Sequence, residues 1–320
     1  MDGSVEASLK AQLAHTLSRT DFPALGQKYQ GKVRDTYRKG DRLVLITTDR
    51  LSAFDHVLTT LPFKGDLLNQ LAHFWFQKTA HVVRSHVLDM PDPCVTVARA
   101  AQPFPVEFVV RGYLTGSLWR DYQAGLDPYA LGLPRGLRRD QKFDAPILTP
   151  STKAPLGEHD LPLPEGEVVP RGLVPPRHWA RAREVALGLF AEGQKVARER
   201  GLLLVDTKYE LGLVGEELIA IDEIHTPDSI RYWVAEGSPE RFERGESQVM
   251  LDKENLRQWL IAERGFSGHG PLPTIPDEVR VSLAGTYVTA YERITGARFG
   301  GQVGDVGERL RLNLAKAGLL

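Results

Sequence analysis

The chain has 320 residues, of which 42% are hydrophobic and 25% charged, a composition typical of a folded protein with more than one domain. Its 40 Lys and Arg residues against 41 Asp and Glu residues give a formal net charge of -1, which argues against a general nucleic-acid-binding protein. One cysteine excludes an intrachain disulfide, and no apolar run approaches the roughly 18 residues of a membrane span. We expect a cytoplasmic protein without nucleic-acid or membrane partners.

The first candidate binding segment follows a short amphipathic helix predicted over residues 5–19. Residues 29–37 and 41–48 then predict two strands joined by a turn. In the first of these, Gly31 could let the backbone approach a phosphate, with Lys32 alongside. The Walker pattern is absent, so a hairpin with a surface lysine is the alternative interpretation.

Two further polar segments follow apolar strands. Residues 48–55, T-D-R-L-S-A-F-D, predict a polar loop that ends at Asp55 and either binds a ligand or forms a turn network. The strand predicted at 104–110 continues into R-G-Y-L-T-G-S, from Arg111 to Ser117, followed by a helix. An arginine, hydroxyl groups and N–H groups at a helix start suit an anion, although a structural turn explains the pattern equally well.

The stretch 147–160 predicts a loop with several polar side chains that could act on a substrate, namely Lys153, Glu158, His159 and Asp160. Residues 178–200 then predict the clearest helix, because apolar side chains recur on one face and a glycine follows at Gly201. This helix leads directly into the next strand.

Residues 202–221 predict two antiparallel strands that carry charged side chains. Asp206, Lys208 and Glu210 are two residues apart, so their side chains lie on one face of the first strand. The second strand ends at Asp222. Two carboxylates and a lysine suit a Mg²⁺–phosphate site, since Mg²⁺ prefers oxygen ligands. A solvated strand face with cross-strand ion pairs is the alternative.

The strand register decides whether these groups converge. We predict that Gly212 pairs with Leu218, because this register sets Lys208 opposite Asp222 with Glu210 beside them. A slip of one residue would turn Asp222 away from the site. Beyond Trp233, the sequence predicts helices at 252–260, 279–294 and 309–319, which we expect to brace the catalytic body.

Six segments together resemble the phosphoribosylaminoimidazole-succinocarboxamide synthase (SAICAR synthetase) family of purine biosynthesis, and they occur in the family's order. They are G-K-V-R-D-T-Y at Gly31, T-D-R-L-S-A-F-D at Thr48, V-R-G-Y-L-T-G-S at Val110, T-P-S-T-K-A-P-L-G-E-H-D at Thr149, D-T-K-Y-E-L-G at Asp206 and D-E-I-H-T-P-D-S-I-R-Y-W at Asp222. Two positions depart from the family pattern: Ile230 replaces a usual serine, and His225 replaces a usual aliphatic residue.

The resemblance implies an α+β fold with ATP in the cleft between two lobes. Residues 1–110 would form a β-rich N-terminal lobe that resembles a kinase small lobe. Residues 111–235 would form an ATP-grasp-like lobe for substrate and metal, and 236–320 a C-terminal helical segment. The partners implied are small molecules, and the state expected is a monomer or a homodimer.

The reaction implied is an ATP-dependent ligation of L-aspartate to the carboxylate of carboxyaminoimidazole ribonucleotide, giving SAICAR, ADP and phosphate. The expected route transfers the γ-phosphoryl group to the imidazole carboxylate, and the aspartate amine then attacks the acyl phosphate. A different ATP- and Mg²⁺-dependent small-molecule phosphotransferase is the alternative, although the H-R-D and D-F-G signatures of protein kinases are absent.

The resemblance also implies roles for single residues. Lys208, Asp206 and Lys32 would be catalytic, and Glu210 and Asp222 would hold Mg²⁺. The residues implied for ATP are Gly31, Lys32, Val33, Arg34, Glu210 and Asp222. Those implied for the other substrates are Asp55, Arg111, Ser117, Lys153, Asp228 and Arg231, with the arginines on the 5′-phosphate. The loop from Lys153 to Asp160 would close over aspartate.

Overall fold

The computed structural model describes residues 2–154, 160–251 and 253–320. Its N-terminal part has seven strands: β1 (Gln27–Gln30), β2 (Arg34–Lys39), β3 (Arg42–Thr47), β4 (Arg50–Ala53), β5 (His56–Thr60), β6 (Val87–Asp92) and β7 (Val95–Arg99). Five of them form an antiparallel sheet in the order β1-β2-β3-β7-β6. The other two, β4 and β5, pair with each other as a separate hairpin.

A second antiparallel sheet carries the central part of the chain. Its strands are β8 (Gln102–Leu114), β9 (Gln141–Leu148), β10 (Ser151–Thr152), β11 (Leu202–Val214), β12 (Glu217–Ile221) and β13 (Ile230–Val234). The long strands β8 and β11 lie side by side at its centre. Strands β9 and β10 pair with β8, and β12 and β13 pair with β11. The other four strands are therefore arranged around one central pair.

Eight α-helices complete the described chain: α1 (Gly3–Gln12), α2 (Lys64–Lys78), α3 (Gly116–Gln123), α4 (Pro176–Glu199), α5 (Ser238–Arg244), α6 (Glu254–Arg264), α7 (Asp277–Thr295) and α8 (Val306–Lys316). The helix predicted over residues 178–200 is α4, and the three predicted in the tail are α6, α7 and α8. The N-terminal helix is shorter than predicted, because a 3₁₀ turn, Leu13–His15, follows it. No helix of these described ranges is long and apolar enough to cross a membrane.

Helix α2 joins two of the hydrophobic cores. Its residues Trp75 and Phe76 pack with the second sheet and α4, whereas Leu67 and Leu68 pack with α1, α6 and α7. A third core lies between the first sheet and α8, where Leu310 is fully buried. The C-terminal helices therefore brace the N-terminal half of the molecule, as the apolar periodicity of the tail predicts in part.

The predicted register of β11 and β12 is wrong by one residue. Gly212 pairs with Ile219, because a two-residue turn at 215–216 connects the strands. Asp222 nevertheless faces the site, since the strand ends at Ile221 and Asp222 itself adopts a left-handed conformation with φ of 66°. The left-handed turn at Asp222 therefore directs this side chain into the site, which is the result that the predicted register was expected to give.

Two other expectations change. Residues 48–55 are not a loop, because Arg50–Ala53 form a strand and Asp55 lies in the hairpin turn that follows it. The predicted loop at 147–160 includes the end of β9 and the short strand β10. The candidates Glu158 and His159 lie outside the described residues. Strand β8 runs through residue 110, and the division of the chain at 110 and 235 stays a prediction.

Candidate active site

Two cavities open between the sheets and meet. The first has a volume of about 650 Å³ and is lined by both sheets, and the second, of about 410 Å³, lies beside β11, β13 and α6. Volumes of this size suit small-molecule ligands. Eight residues line both cavities and define what we call the junction: Lys32, Ser52, Asp55, Glu107, Asp160, Lys208, Asp228 and Lys253.

The turn between β1 and β2 forms one wall of the first cavity. The Gly31 N–H donates to the carbonyl of Arg34 at 2.8 Å, which closes the turn. Arg50, which is buried, donates to the carbonyls of Gly31 and Lys32 at 3.0 Å each and to Asp35 at 2.7 Å. The guanidinium thus fixes the turn from behind, while Lys32 extends to Asp55 in the hairpin turn.

Charged side chains of the second sheet form the floor of the same cavity. Glu107 on β8 is the cross-strand partner of Glu210 on β11. Lys208 lies on the same face, with its Nζ 2.5 Å from Glu107 Oε1 and 3.5 Å from Glu210 Oε1. Lys153 forms an ion pair with Glu210. Although burial opposes the charged form, the two glutamates raise the pKa of Lys208, so the ammonium is charged at neutral pH.

Asp222 and Glu223 face this floor from the end of β12. Arg34 forms an ion pair with Asp222, and its second terminal nitrogen is 4.0 Å from Glu223 Oε2. Burial works against ionisation of Asp222, but Arg34 and Lys208 hold the pKa of its carboxyl below the ordinary value. For Glu223 burial dominates, and together with the neighbouring Asp222 charge it raises the pKa.

A row of three charged residues lies in the second cavity. In the sheet, Asp206 on β11 is the cross-strand partner of Arg111 on β8 and of Arg231 on β13. Arg231 forms an ion pair with Asp206, and Arg111 NH1 lies 3.6 Å from the same oxygen. Arg111 NH2 also lies 3.3 Å from the hydroxyl of Ser117 in α3. Two guanidinium groups therefore converge at the start of α3.

The approach of Arg231 to α3 requires a glycine. Gly116 has φ of +59°, and a Cβ added there would lie 2.5 Å from Arg231 NH2. Any other residue would push the guanidinium out of position. The glycine in the motif L-T-G-S thus has a packing reason in addition to its backbone conformation.

Asp228 lines both cavities but already has partners. Its Oδ2 lies 2.8 Å from Nζ of Lys64, which is fully buried, and its Oδ1 accepts a hydrogen bond of 2.6 Å from Tyr287. Lys253 Nζ lies 3.9 Å away. Burial opposes ionisation, yet the two lysines lower the pKa of Asp228 well below its ordinary value.

The sequence and the fold both match known proteins. A sequence model of SAICAR synthetase matches residues 27–269. Phosphoribosylaminoimidazole-succinocarboxamide synthase of Legionella pneumophila (strain Paris) is 44% identical over 308 residues, covering 94% of this chain and 98% of that one. The chain belongs to the SAICAR synthetase family. The chloroplastic synthase of Arabidopsis thaliana is likewise 44% identical, over 92% of this chain and 74% of its own length.

A solved structure of the family shares the architecture. SAICAR-synthase from Saccharomyces cerevisiae complexed with SAICAR is 30% identical and superimposes with a TM-score of 0.78, covering 89% of this chain and all of that one. A SAICAR synthetase (Type-2) in complex with ADP, 22% identical with a TM-score of 0.65, shares the fold. The mixed α+β architecture is thus that of the SAICAR synthetase family.

The structure brings all fourteen predicted site residues to the two cavities. Gly31, Val33, Arg34, Lys153, Glu210 and Asp222 line the first cavity. Arg111, Ser117, Asp206 and Arg231 line the second. Lys32, Asp55, Lys208 and Asp228 belong to the junction. Their convergence is observed, whereas the role of each residue stays a prediction.

Several residues of the cavities were not predicted as site residues. Glu107 is the clearest, and it had a signal: it is the one charged residue in the apolar stretch F-P-V-E-F-V-V of strand β8. Lys253 and Arg257 of the α6 region line the second cavity, and Lys64 supports Asp228 from α2. Nothing local in the sequence points to these three, because each reaches the site through tertiary packing.

Proposed function

We propose that the chain joins L-aspartate to carboxyaminoimidazole ribonucleotide with the two cavities as a single active site, ATP in the first and the ribonucleotide in the second. The observation that carries this assignment is the junction, where Lys32 and Lys208 line both cavities. A ligase of this kind must bring a γ-phosphoryl group to a carboxylate bound elsewhere. A wall shared by two anion-binding cavities is the geometry that such a transfer needs.

The first cavity suits ATP for two reasons. The Gly31–Arg34 turn is held from behind by Arg50, so it is preorganised before a phosphate arrives. Lys32 on this turn, and Lys153 and Lys208 on the floor, then offer positive charge to the phosphates. The cavity wall also includes apolar side chains from the first sheet, Leu43 and Leu45, against which a nucleobase packs in this proposal.

Glu210 and Asp222 are the residues we propose for Mg²⁺. Their carboxylates line the same cavity, and hard oxygen donors of this kind suit the ion together with substrate phosphates. Each carboxylate is at present paired with a cation, Glu210 with Lys153 and Asp222 with Arg34. When bound, Mg²⁺ would neutralise charge on the phosphates.

These ion pairs suggest an exchange of partners on substrate binding. The lysines would turn to the phosphates, and the carboxylates would be released for the ion. Because neither binding step alone satisfies both sets of charges, the affinities for ATP and for Mg²⁺ would be positively coupled, each ligand raising the affinity for the other. Isothermal titration with ATP, with and without Mg²⁺, measures this coupling.

The ribonucleotide phosphate would bind where Arg111 and Arg231 converge on α3. Guanidinium groups bind phosphate through paired N–H donors, and Ser117 adds a hydroxyl. Asp206 holds both arginines from the sheet, so it positions them rather than contacting the phosphate. Asp228, with Lys64 and Tyr287 as partners, would contact the ribonucleotide through the oxygen capacity that remains.

The chemistry then follows the acyl-phosphate route. The γ-phosphoryl group moves to the imidazole carboxylate with ADP as leaving group, and the aspartate amine attacks the activated carbon. The ammonium first loses one proton to solvent. The C–N bond then forms, the C–O bond to phosphate breaks, and the second proton of the nitrogen leaves with inorganic phosphate. Lys208 and Lys32 would neutralise charge at the reacting oxygens throughout. A cytoplasmic location and a monomeric or homodimeric state remain predictions.

ADP release measured across candidate amino acids tests this function. We expect release to require both the ribonucleotide and L-aspartate, and to accompany SAICAR formation in equal amounts. Stoichiometric phosphorylation of a stable product without aspartate would instead identify a phosphotransferase and refute the ligase.

A further inference from the structure

Glu107 occupies the point where the two cavities meet. It lies on β8 between Ser151 of β10 and Glu210 of β11, so its backbone is flanked by a strand of the sheet on each side. The residue is only 8% exposed, yet it lines both cavities. A carboxylate fixed in this way is suited to positioning a reacting group.

One charged group of the three organic substrates has no oppositely charged partner among the site residues assigned so far. ATP and the ribonucleotide carry phosphates and a carboxylate, which suit the lysines and arginines of the cavities. L-aspartate adds two carboxylates and one ammonium group, the only cation among these substrates. Its nitrogen must reach the carbon of the carboxylate whose oxygen receives the phosphoryl group, which places the amino group at the junction.

Most acidic groups of the junction are unsuited to bind this ammonium. Asp228 is buried against Lys64 and Tyr287. Asp55 is half exposed in a hairpin turn and pairs with Lys32. Asp160 is exposed and accepts the N–H of Ala154 at 2.7 Å.

Glu107 differs from Asp55 and Asp160 in its burial and from Asp228 in its partner. That partner is Lys208, 2.5 Å away, which also contacts Glu210 and is one of the two lysines proposed for the reacting oxygens. When Lys208 turns to those oxygens, the Glu107 carboxylate loses its counterion beside the bound carboxylate. A second ammonium group would restore the charge balance there.

We propose that Glu107 binds the ammonium group of L-aspartate and positions its nitrogen, which attacks the acyl phosphate once the ammonium has lost one proton to solvent. This inference rests on the proposed function. It names the part of the site that recognises the amino group of the amino-acid substrate, whereas the lysines and arginines around it recognise anions.

The test compares two nucleophiles in Glu107→Gln. Hydrogen bonds between charged groups contribute about 1.5–3 kcal/mol, so we expect the KM for L-aspartate to rise about 10- to 100-fold. The KM values for ATP and the ribonucleotide should change by less than about threefold. Hydroxylamine, a neutral nucleophile that needs no ammonium site, should still give the hydroxamate of the ribonucleotide at the wild-type rate.

The hydroxylamine measurement separates binding of the amine from support of Lys208. If Glu107 only held Lys208 in place, Glu107→Gln would slow both nucleophiles equally, which would overturn the inference. Glu107→Asp keeps the charge on a shorter side chain, and it should show the same selective loss to a smaller extent. Equal loss with both nucleophiles in that variant would also contradict the proposal.

A matched control is Glu216→Gln. Glu216 pairs with Arg177 in the turn after β11 and lines neither cavity, so both activities should stay at the wild-type level. Failure of the proposed function would be distinct, because wild-type protein would then release ADP without aspartate. If the wild type requires aspartate and Glu107→Gln keeps its KM for aspartate, the assignment of Glu107 alone is wrong.

Discussion

Two acidic clusters of this protein look alike by composition but differ in what surrounds their oxygens. The cleft cluster consists of Arg34, Lys208, Glu210 and Asp222. The buried cluster consists of Asp66 on α2, Asp92 on β6, Cys94 and Arg309 on α8. Ligand atoms of Asp66, Asp92 and Cys94 lie within 4.8 Å of one another, which is the spacing of a metal site.

In the buried cluster, N–H donors already occupy all four carboxylate oxygens. Arg309 donates to both oxygens of Asp66, at 2.8 and 2.5 Å, and to both oxygens of Asp92, at 3.1 Å each. Asn313 adds a bond of 2.7 Å to Asp92. The planar guanidinium thus fills the space that an ion would need, and it joins α8 to the first sheet.

The cleft cluster has the opposite character. Lys208 reaches Glu210 on a long flexible stem, Arg34 contacts Asp222 through a single terminal nitrogen, and all four residues line a cavity of about 650 Å³. Such cations can leave when a better partner arrives, whereas a guanidinium held by four hydrogen bonds cannot. Proximity of carboxylates therefore does not identify a metal site; access to them and exchangeable partners do.

The substitution Asp222→Asn tests the cleft side of this comparison. Asparagine tolerates the left-handed backbone of this position, so the fold should be retained. Loss of one proposed ligand should lower kcat by about 10²- to 10³-fold at saturating Mg²⁺, because charge on the phosphates is then poorly neutralised. Steady-state ADP release measures the effect.

The matched substitution in the buried cluster is Asp66→Asn, which we expect to leave kcat near the wild-type value at a temperature where the variant is folded. Normal turnover by Asp222→Asn would refute the metal assignment. A large loss of kcat in folded Asp66→Asn would show that the two clusters do not differ as we infer.

The substitution Arg309→Ala tests the buried side. It removes the only cation among the cluster's own four residues and leaves Asp66 and Asp92 buried without it. Breaking a buried ion pair costs about 3–5 kcal/mol, so the free energy of unfolding measured in urea should fall by about this amount. Arg311→Ala on the exposed face of the same helix is the control and should have little effect. Unchanged stability of Arg309→Ala would contradict a structural role.

Much of the fold could be predicted because the periodicity is strong. Helix α4 and strands β11 and β12 were predicted from runs of apolar residues that the structure confirms. The register between β11 and β12 was predicted wrongly, because it depends on whether the connecting turn has two or three residues. The β4–β5 hairpin was not predicted, because its polar sequence is buried by contacts with segments that are distant along the chain. For example, Asp49, directly before β4, accepts hydrogen bonds from the N–H groups of Leu17 and Gly65.

Only the site residues that lie within the sequence motifs could be predicted. The resemblance gave fourteen residues that do converge, but it did not reveal that Lys64 and Tyr287 surround Asp228. Those partners come from α2 and α7, and nothing in the local sequence of either helix indicates the contact. Glu107 was visible as a lone charge in an apolar strand, and its importance emerged only from its place at the junction.

The substitution Arg231→Ala tests whether the row Arg111–Asp206–Arg231 binds a ligand, as we propose for the cleft cluster, or is purely structural, as we infer for the buried cluster. If it binds a phosphate, the KM for the ribonucleotide should rise about 10- to 100-fold, because a charge-assisted contact is lost. The KM for ATP should stay within about threefold of the wild type. Arg257→Ala, at the same cavity but without a contact to Asp206, is the comparison. A change confined to the KM for ATP would mean that the two sites are interchanged.

His225 is buried against Tyr209 and Trp75, and it makes the stability of the fold depend on pH. The ring is fully buried, with Nε2 2.5 Å from the Tyr209 hydroxyl, and burial lowers the pKa of His225 to about 3. The unfolded chain, with an ordinary pKa of about 6.5, binds the proton more readily. Stability is therefore complete above pH 6.5 and is lost as the pH falls toward 3, by about 2 kcal/mol at pH 5.

A second buried group, Asp49, has the opposite effect on stability as the pH falls. The test is therefore the difference between wild type and His225→Gln rather than the pH dependence of the wild type alone. Burial raises the pKa of Asp49 to about 7, which favours the folded state as the pH falls below 7. Comparing wild type with His225→Gln cancels the contribution of Asp49, because it is common to both. The difference in free energy of unfolding between the two proteins should shrink by about 2 kcal/mol from pH 7 to pH 5. A difference that stays constant over this range would mean that the pKa of His225 is the same in the folded and the unfolded chain, and that burial does not keep the ring neutral.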